Sequence, residues 1–401
     1  MKAISLLLII TLLCGSYQAM AQKKTPGKKV EVTESEEDSE ESYEEENSDS
    51  EEAEEEAEEV EEEASTPKEQ TLSLFSKYDF VAGDKVVFFE DFSQDAVGDF
   101  PALWNTNASG EVCITGEFPG KWLKMNADGM FFLEKGFNFP KNFTLEFDVL
   151  PMQEESGDIG RIILALFSPS EGDLYNSGGV PGDAGIEIAM GSYFSYRAYD
   201  ENKDLQNDVW NKKMPKNEVS HVSIWVQNSR LRLYALGFKL LDIPQALTKG
   251  FDYKQIRFCT DEIEATKFLI SNIRVAEAGT DQRSKFLTDG KLISYGILFD
   301  VNSDKVKPES YGALKEMADI LKENPSVRVK VVGHTDSDGN DATNLDLSKR
   351  RANSVKSELC KVFSVDSSRI ETDGKGETEP IENNNTPLGK SKNRRVEFLK
   401  L

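Results

Sequence analysis

The chain has 401 residues and a net charge of −25, length enough for two or three domains. Twenty-one Asp or Glu residues and no Lys or Arg lie between Glu31 and Glu63, so the remainder carries only −4. A near-neutral body argues against nucleic-acid binding, and two histidines exclude zinc sites built on several His ligands.

Residues 1–21 read as a secretion signal. Lys2 supplies the positive start, Ile4–Leu13 the apolar stretch and Ala19-Met20-Ala21 a small-residue cleavage site. The apolar run is too short to span a bilayer, and no later run approaches the length needed. The mature chain is expected to be exported without a transmembrane helix. Cys14, followed by Gly15 and Ser16, raises N-terminal lipidation as a rival, against which Leu13 stands where a small residue is expected. Residues 22–70 form a disordered acidic spacer, because Glu/Ser repeats bury too little apolar surface to offset their ordering entropy. Calcium collection or docking to a basic partner is the alternative role for this stretch.

Residues 71–278 change to short alternating segments. Phe143–Val149 puts apolar residues on one face and polar ones on the other. Similar strands are predicted at Trp122–Met125, Met130–Leu133, Arg161–Phe167, Ile186–Met190, His221–Trp225, Arg230–Tyr234, Ile256–Cys259 and Phe268–Val275. Gly- and Pro-bearing turns separate them, and no helix intervenes, which predicts an all-β antiparallel sandwich. Val222–Val226, Leu231–Tyr234 and Lys239–Pro244, with the opening Phe89-Glu90-Asp91-Phe92, resemble strands of laminin-G and concanavalin-like jelly rolls. Such folds often bind glycans, so a glycan partner is a possibility that the resemblance raises. Trp104, Trp122, Trp210 and Trp225 are expected in the core rather than stacked on sugars. Glu187 has no acidic partner two or four residues later, so no glycosidase pair is visible. Cys113 and Cys259 are candidates for a disulfide, with two buried thiols as the alternative.

A polar linker over 279–290 leads to an α/β segment, residues 291–401, reading strand, helix, strand, helix, strand (βαβαβ). Ile293–Phe299 and Val327–Val332 are predicted strands. Pro308 opens a helix with Leu314, Met317, Ala318 and Leu321 on one face; a second helix, from about Asn344 to Val362, buries Ser348, Ala352, Val355 and Leu359. Thr343 and Asp346 are spaced as its capping box.

The run Gly333-His334-Thr335-Asp336-Ser337-Asp338-Gly339, then Asn344–Val355, strongly resembles the OmpA-like peptidoglycan-binding domain. Phe299–Ser303, Arg369, Gly374–Glu377, Pro380, Asn385-Thr386, Gly389 and Asn393–Val396 extend the likeness, while Lys390 stands where an Arg is common. The resemblance implies that Asp336 and Arg351 bind diaminopimelate of the peptidoglycan stem peptide, with Asn302, Asn344 and Arg394 secondary. The chemistry agrees: an ammonium and a carboxylate on one carbon call for an anion and a forked donor. Asp336–Asp341 is not an EF-hand, since position twelve is Leu347. His334 is expected to pack beside the strand end rather than act as a base.

The expected protein is a non-enzymatic one of the cell envelope, with no cofactor or metal. Its C-terminal domain grips peptidoglycan from the periplasmic side of the outer membrane, while the remainder contacts that membrane, its proteins or a glycan. A porin-like outer-membrane β-barrel over 72–278 and a wall-anchored glycan-processing enzyme are the rivals.

Overall fold

The computed structural model describes residues 78–153, 157–170, 180–261, 263, 266–279 and 282–401. The predicted signal segment, Cys14 and the acidic spacer lie outside them.

Two open antiparallel sheets make up the first part. One runs, strand by strand, Phe238–Ile243, Arg230–Ala235, Ser220–Gln227, Asn142–Gln153, Thr266–Glu277, Lys121–Met125 and Gly110–Ile114, with Lys85–Glu90 also paired to Thr266–Glu277. The other runs Lys203–Val209, Phe194–Asp200, Ala184–Gly191, Arg161–Ser168, Gln255–Asp261, Gly129–Leu133 and Trp104–Thr106. Alternation decides which side chains meet between them. Phe143, Leu145, Phe147 and Val149 point inward to join Ile162, Leu164, Leu166, Ile186 and Ile188 in one core. Each such side chain contributes roughly 1.5–3 kcal/mol on burial.

Every strand predicted over 71–278 forms. The one predicted at Ile293–Phe299 is confined to Lys291–Ser294, because the Leu298 amide bonds the Ser310 hydroxyl instead of a strand. The α/β segment has four strands rather than the expected three. Trp104–Thr106, Gly110–Ile114 and Phe194–Asp200 form without having been expected, as does Lys203–Val209, whose central residues are exposed and which among the described residues pairs on one side only, so no apolar face marks it. Trp104 and Trp122 are buried, and Trp225 is half-buried, as expected of core tryptophans. Trp210 departs from that expectation: it is 67% exposed and stacks on Tyr193 at 4.2 Å between centroids. Cys113 and Cys259 are free. They alternate with the core residues Val112 and Phe258 on different sheets, so both thiols point away from the apolar layer and no bridge forms.

The second part is a four-stranded sheet in the order Lys291–Ser294, Val396–Lys400, Val329–His334, Ile370–Gly376. Val329–His334 is parallel to Ile370–Gly376 and antiparallel to Val396–Lys400. Helices Tyr311–Glu323 and Asp341–Lys361 bury their predicted stripes against it. The segment expected to be a polar linker contains a helix, Gln282–Asp289, because Phe286 reaches that core and is fully buried. Helix Asp341–Lys361 starts before the expected Thr343 cap. Asn340 caps it instead, its side-chain oxygen accepting from the Ala342 and Thr343 amides.

The two parts share buried surface. Tyr78, Phe80, Ala82 and Tyr234 belong to the same apolar cluster as Leu314, Met317 and Val331. The face of the first sheet carrying Thr144 and Glu146 is therefore covered rather than wet, and Glu146 is only 3% exposed. Glu146 binds Arg274 at 2.5 Å, and Arg274 also donates to the Gly83 carbonyl at 2.6 Å. His221 Nδ1 lies 2.7 Å from Asp148, which accepts a further hydrogen bond from Asn272. Burial alone would raise the Glu146 carboxyl, but Arg274 and His221 outweigh it and hold it below its usual range. Burial likewise would lower His221, yet Asp148 and Glu146 push it up to about 10.

Candidate functional site

Glycines set the site by letting a helix lie directly on strand backbone. A Cβ at Gly333 would collide with the Ser348 carbonyl oxygen, and one at Gly374 with the Lys349 amide. Ser348 is fully buried, accepting from the Gly376 amide at 2.9 Å and donating to the Leu345 carbonyl. Helix Asp341–Lys361 is thereby fixed over the ends of two parallel strands, and the loop from Asp336 to Asn340 joins strand to helix at that edge.

Asp336 sits two residues beyond the strand and is 7% exposed. Its Oδ1 accepts from the Asp338 amide at 3.1 Å and its Oδ2 from Arg394 Nη1 at 2.5 Å. Arg351, on the helix, donates from Nε to the Ser303 carbonyl at 2.9 Å and from Nη2 to the Asp300 carbonyl at 3.2 Å. Its guanidinium lies 4.8 Å from the Phe299 ring centre. Burial lowers the Arg351 pKa, and Arg350 and Arg394 push the same way while Asp336 and Asp304 oppose them. Asp336, Arg351 and Arg394 therefore share one electrostatic neighbourhood. The direct ion pair in it is Asp336–Arg394, not Asp336–Arg351.

Asn344 is buried, and its amide nitrogen is spent inside the loop. It donates to the carbonyls of Asp336 (3.3 Å) and Asp338 (3.0 Å) and to Glu377 (2.6 Å). Asn302 is exposed with φ 56°, a backbone state that Asn tolerates better than most residues. Its turn, closed by the Ser303 amide on the Asp300 carbonyl at 3.0 Å, belongs to the segment whose carbonyls meet Arg351. Both asparagines thus hold geometry in this structure.

Three contributions went unassigned in the sequence reading. Glu377 anchors Asn344, Phe299 supports Arg351, and Lys390 reaches Asp338 at 2.6 Å although it lies 52 residues away. Nothing in local spacing signals the last. His334 packs at the strand end, with Nε2 3.7 Å from Glu397.

Residues 298–394 match the family described as OmpA family. The C-terminal segment is an OmpA family domain. Outer membrane porin F of Pseudomonas aeruginosa is 43% identical over 105 residues, covering 26% of this chain and 30% of that protein. Peptidoglycan-binding protein ArfA of Mycobacterium bovis is 39% identical over 103 residues, covering 26% and 31%. Among solved structures, the peptidoglycan-associated lipoprotein from Burkholderia pseudomallei is 26% identical, covering 26% of this chain and 88% of that one, with a TM-score of 0.25. The chain spans about a third of the length of these two curated relatives. The match begins at residue 298, so the Phe299 ring beneath Arg351 and the Arg394 partner of Asp336 both fall within it.

Elsewhere, Glu187 is flanked across the ladder by Ala165 and Arg197, so no second carboxylate faces it there. Burial pushes its carboxyl up to about 7, and its charged neighbour at 3.8 Å is Arg257.

Proposed function

We propose that the protein binds peptidoglycan non-covalently through diaminopimelate of the stem peptide and tethers other envelope components to the wall, without catalysis. Asp336 takes the ligand's ammonium, and Arg351 takes its carboxylate. Arg394 shares Asp336 with the ammonium and supplies a second cation beside it. Asn344 and Asn302 hold the two loops that place these groups. The observation that carries this reading is the electrostatic cluster itself: one buried carboxylate with two guanidiniums, held beyond the ends of the inner strands by fixed backbone. The OmpA family match and the relative named for peptidoglycan binding support it. The full chain is expected to co-sediment with purified diaminopimelate-type peptidoglycan. A chain that stays in the supernatant contradicts the reading.

Residues 71–278 are proposed to be a laminin-G/concanavalin-like jelly roll, placed in the periplasm on the inner side of the outer membrane. Two open sheets around one core favour this over a barrel, whose strands would close on each other. Its partner is the outer membrane, one of its proteins or a glycan. The exposed Trp210–Tyr193 stack favours the glycan, since a flat aromatic surface suits the C–H face of a sugar ring. Retention of the full chain on purified envelope polysaccharide is expected to fall in Trp210→Ala. Equal retention of wild type and variant sinks the assignment.

A further inference from the structure

The ligand site of the OmpA family domain touches the sandwich. The first strand of the sandwich, Lys85–Glu90, packs against the short helix Pro387–Asn393. A register shift between Val86 and Phe88 leaves Val87 exposed and turns Phe88 toward the sandwich core. Phe89, next along, takes the opposite face. Its ring centre lies 5.4 Å from the Arg394 guanidinium, the group that pairs with Asp336. Phe89 is also directly across from Arg274 in the ladder, and the Arg274 guanidinium lies 5.2 Å from the ring of Tyr295. Two reciprocal stacks therefore cross the junction, each putting an arginine of one part on an aromatic ring of the other.

We infer that Phe89 of the sandwich is a positioning residue for peptidoglycan binding, acting through Arg394. This rests on the proposed diaminopimelate reading. Arg394 has a half-exposed side chain and would otherwise sweep many rotamers. Stacked on Phe89, its guanidinium is held with one edge on Asp336 and the rest free toward the ligand. The sandwich then does more than hang from the anchor, because one of its strands completes the grip.

The test uses the full chain with Phe89→Leu, which keeps an apolar side chain but removes the ring, and Phe89→Tyr, which keeps the ring. Affinity for purified diaminopimelate-type peptidoglycan is expected to fall about two- to fivefold in Phe89→Leu, in line with a partly exposed cation–π contact. Phe89→Tyr is expected to restore wild-type affinity. In arginine-labelled protein, the Arg394 Nε–H resonance is expected to move in Phe89→Leu and not in Phe89→Tyr, as loss of a ring current requires. Equal affinity of Phe89→Leu and wild type overturns the inference. So does an equal loss in both variants, or an Arg394 resonance that does not move. If wild type itself fails to bind the wall, the diaminopimelate reading falls and takes this inference with it, an outcome distinct from wild type and Phe89→Leu binding alike.

Discussion

Asp336→Ala and Arg351→Ala, made separately in the full chain, are each expected to abolish retention on diaminopimelate-type peptidoglycan at concentrations that saturate wild type. Truncating one partner of a desolvated charge pair costs about 2–5 kcal/mol, since the opposite charge stays buried without its counterion. Even about 2 kcal/mol is roughly thirtyfold in affinity. The two variants differ in what they leave behind. Asp336→Ala frees Arg394 from its carboxylate and removes an acceptor from the Asp338 amide, so the loop loses order as well as charge. Arg351→Ala releases the carbonyls of Asp300 and Ser303 and uncovers Phe299. Melting curves within a few degrees of wild type, alongside lost binding, separate recognition from unfolding. Undiminished binding by either variant contradicts the assigned pair.

Glu146→Ala is expected to be among the most destabilising single changes at the junction. It strips Arg274 of its carboxylate where both side chains are nearly inaccessible, leaving the guanidinium with the Gly83 carbonyl and the Tyr295 ring. Breaking a buried pair from one side costs about 3–5 kcal/mol, and for a domain of this size each kcal/mol moves the midpoint by roughly 2–4 °C. The same cluster gives the junction a pH window. His221 has its pKa raised from 6.5 to about 10, so its contribution is complete below 6.5 and lost as pH climbs toward 10. Glu146 and Asp148 are lowered, so theirs is present above the usual carboxylate range and lost in acid. Stability should therefore peak between that range and 6.5, and His221→Gln should flatten the alkaline side of the curve. A wild-type midpoint unchanged from pH 6.5 to 10 contradicts the role given to His221.

Much of the fold was legible because alternation and helical stripes report burial. Phe143–Val149 and Leu314–Leu321 pointed to their faces, and the covered sides agree. What failed was information that only the assembled molecule holds. Glu146 and Thr144 look solvent-facing in sequence, yet both are buried, with the Gly83 amide bonded to Thr144 and Arg274 joining Glu146 to the Gly83 carbonyl. Phe286 alone, among polar neighbours, gives no periodicity, so its helix reads as linker. At the site, the motif located Asp336, Arg351 and Arg394, while sequence could not say which arginine pairs with the carboxylate. Arg394 wins because the strand it precedes, Val396–Lys400, lies beside Val329–His334, bringing a residue 58 positions away to Asp336. Arg351 instead turns Nε and Nη2 to the carbonyls of the turn around Asn302. Lys390 and Phe89 reach the site through packing that no local spacing encodes.

Recognition of an ammonium and a carboxylate borne on one carbon is tested directly by wall chemistry. Walls in which lysine replaces diaminopimelate keep the ammonium and lose that carboxylate. The measurement is the affinity of the full chain for purified peptidoglycan of each type, side by side at the same salt. Tight binding to the diaminopimelate wall with binding to the lysine wall weakened at least thirtyfold, on the order of 2 kcal/mol or more for a missing charge partner, is the expected result. Equal affinity for the two walls would contradict it, since Arg351 would then have no carboxylate to read.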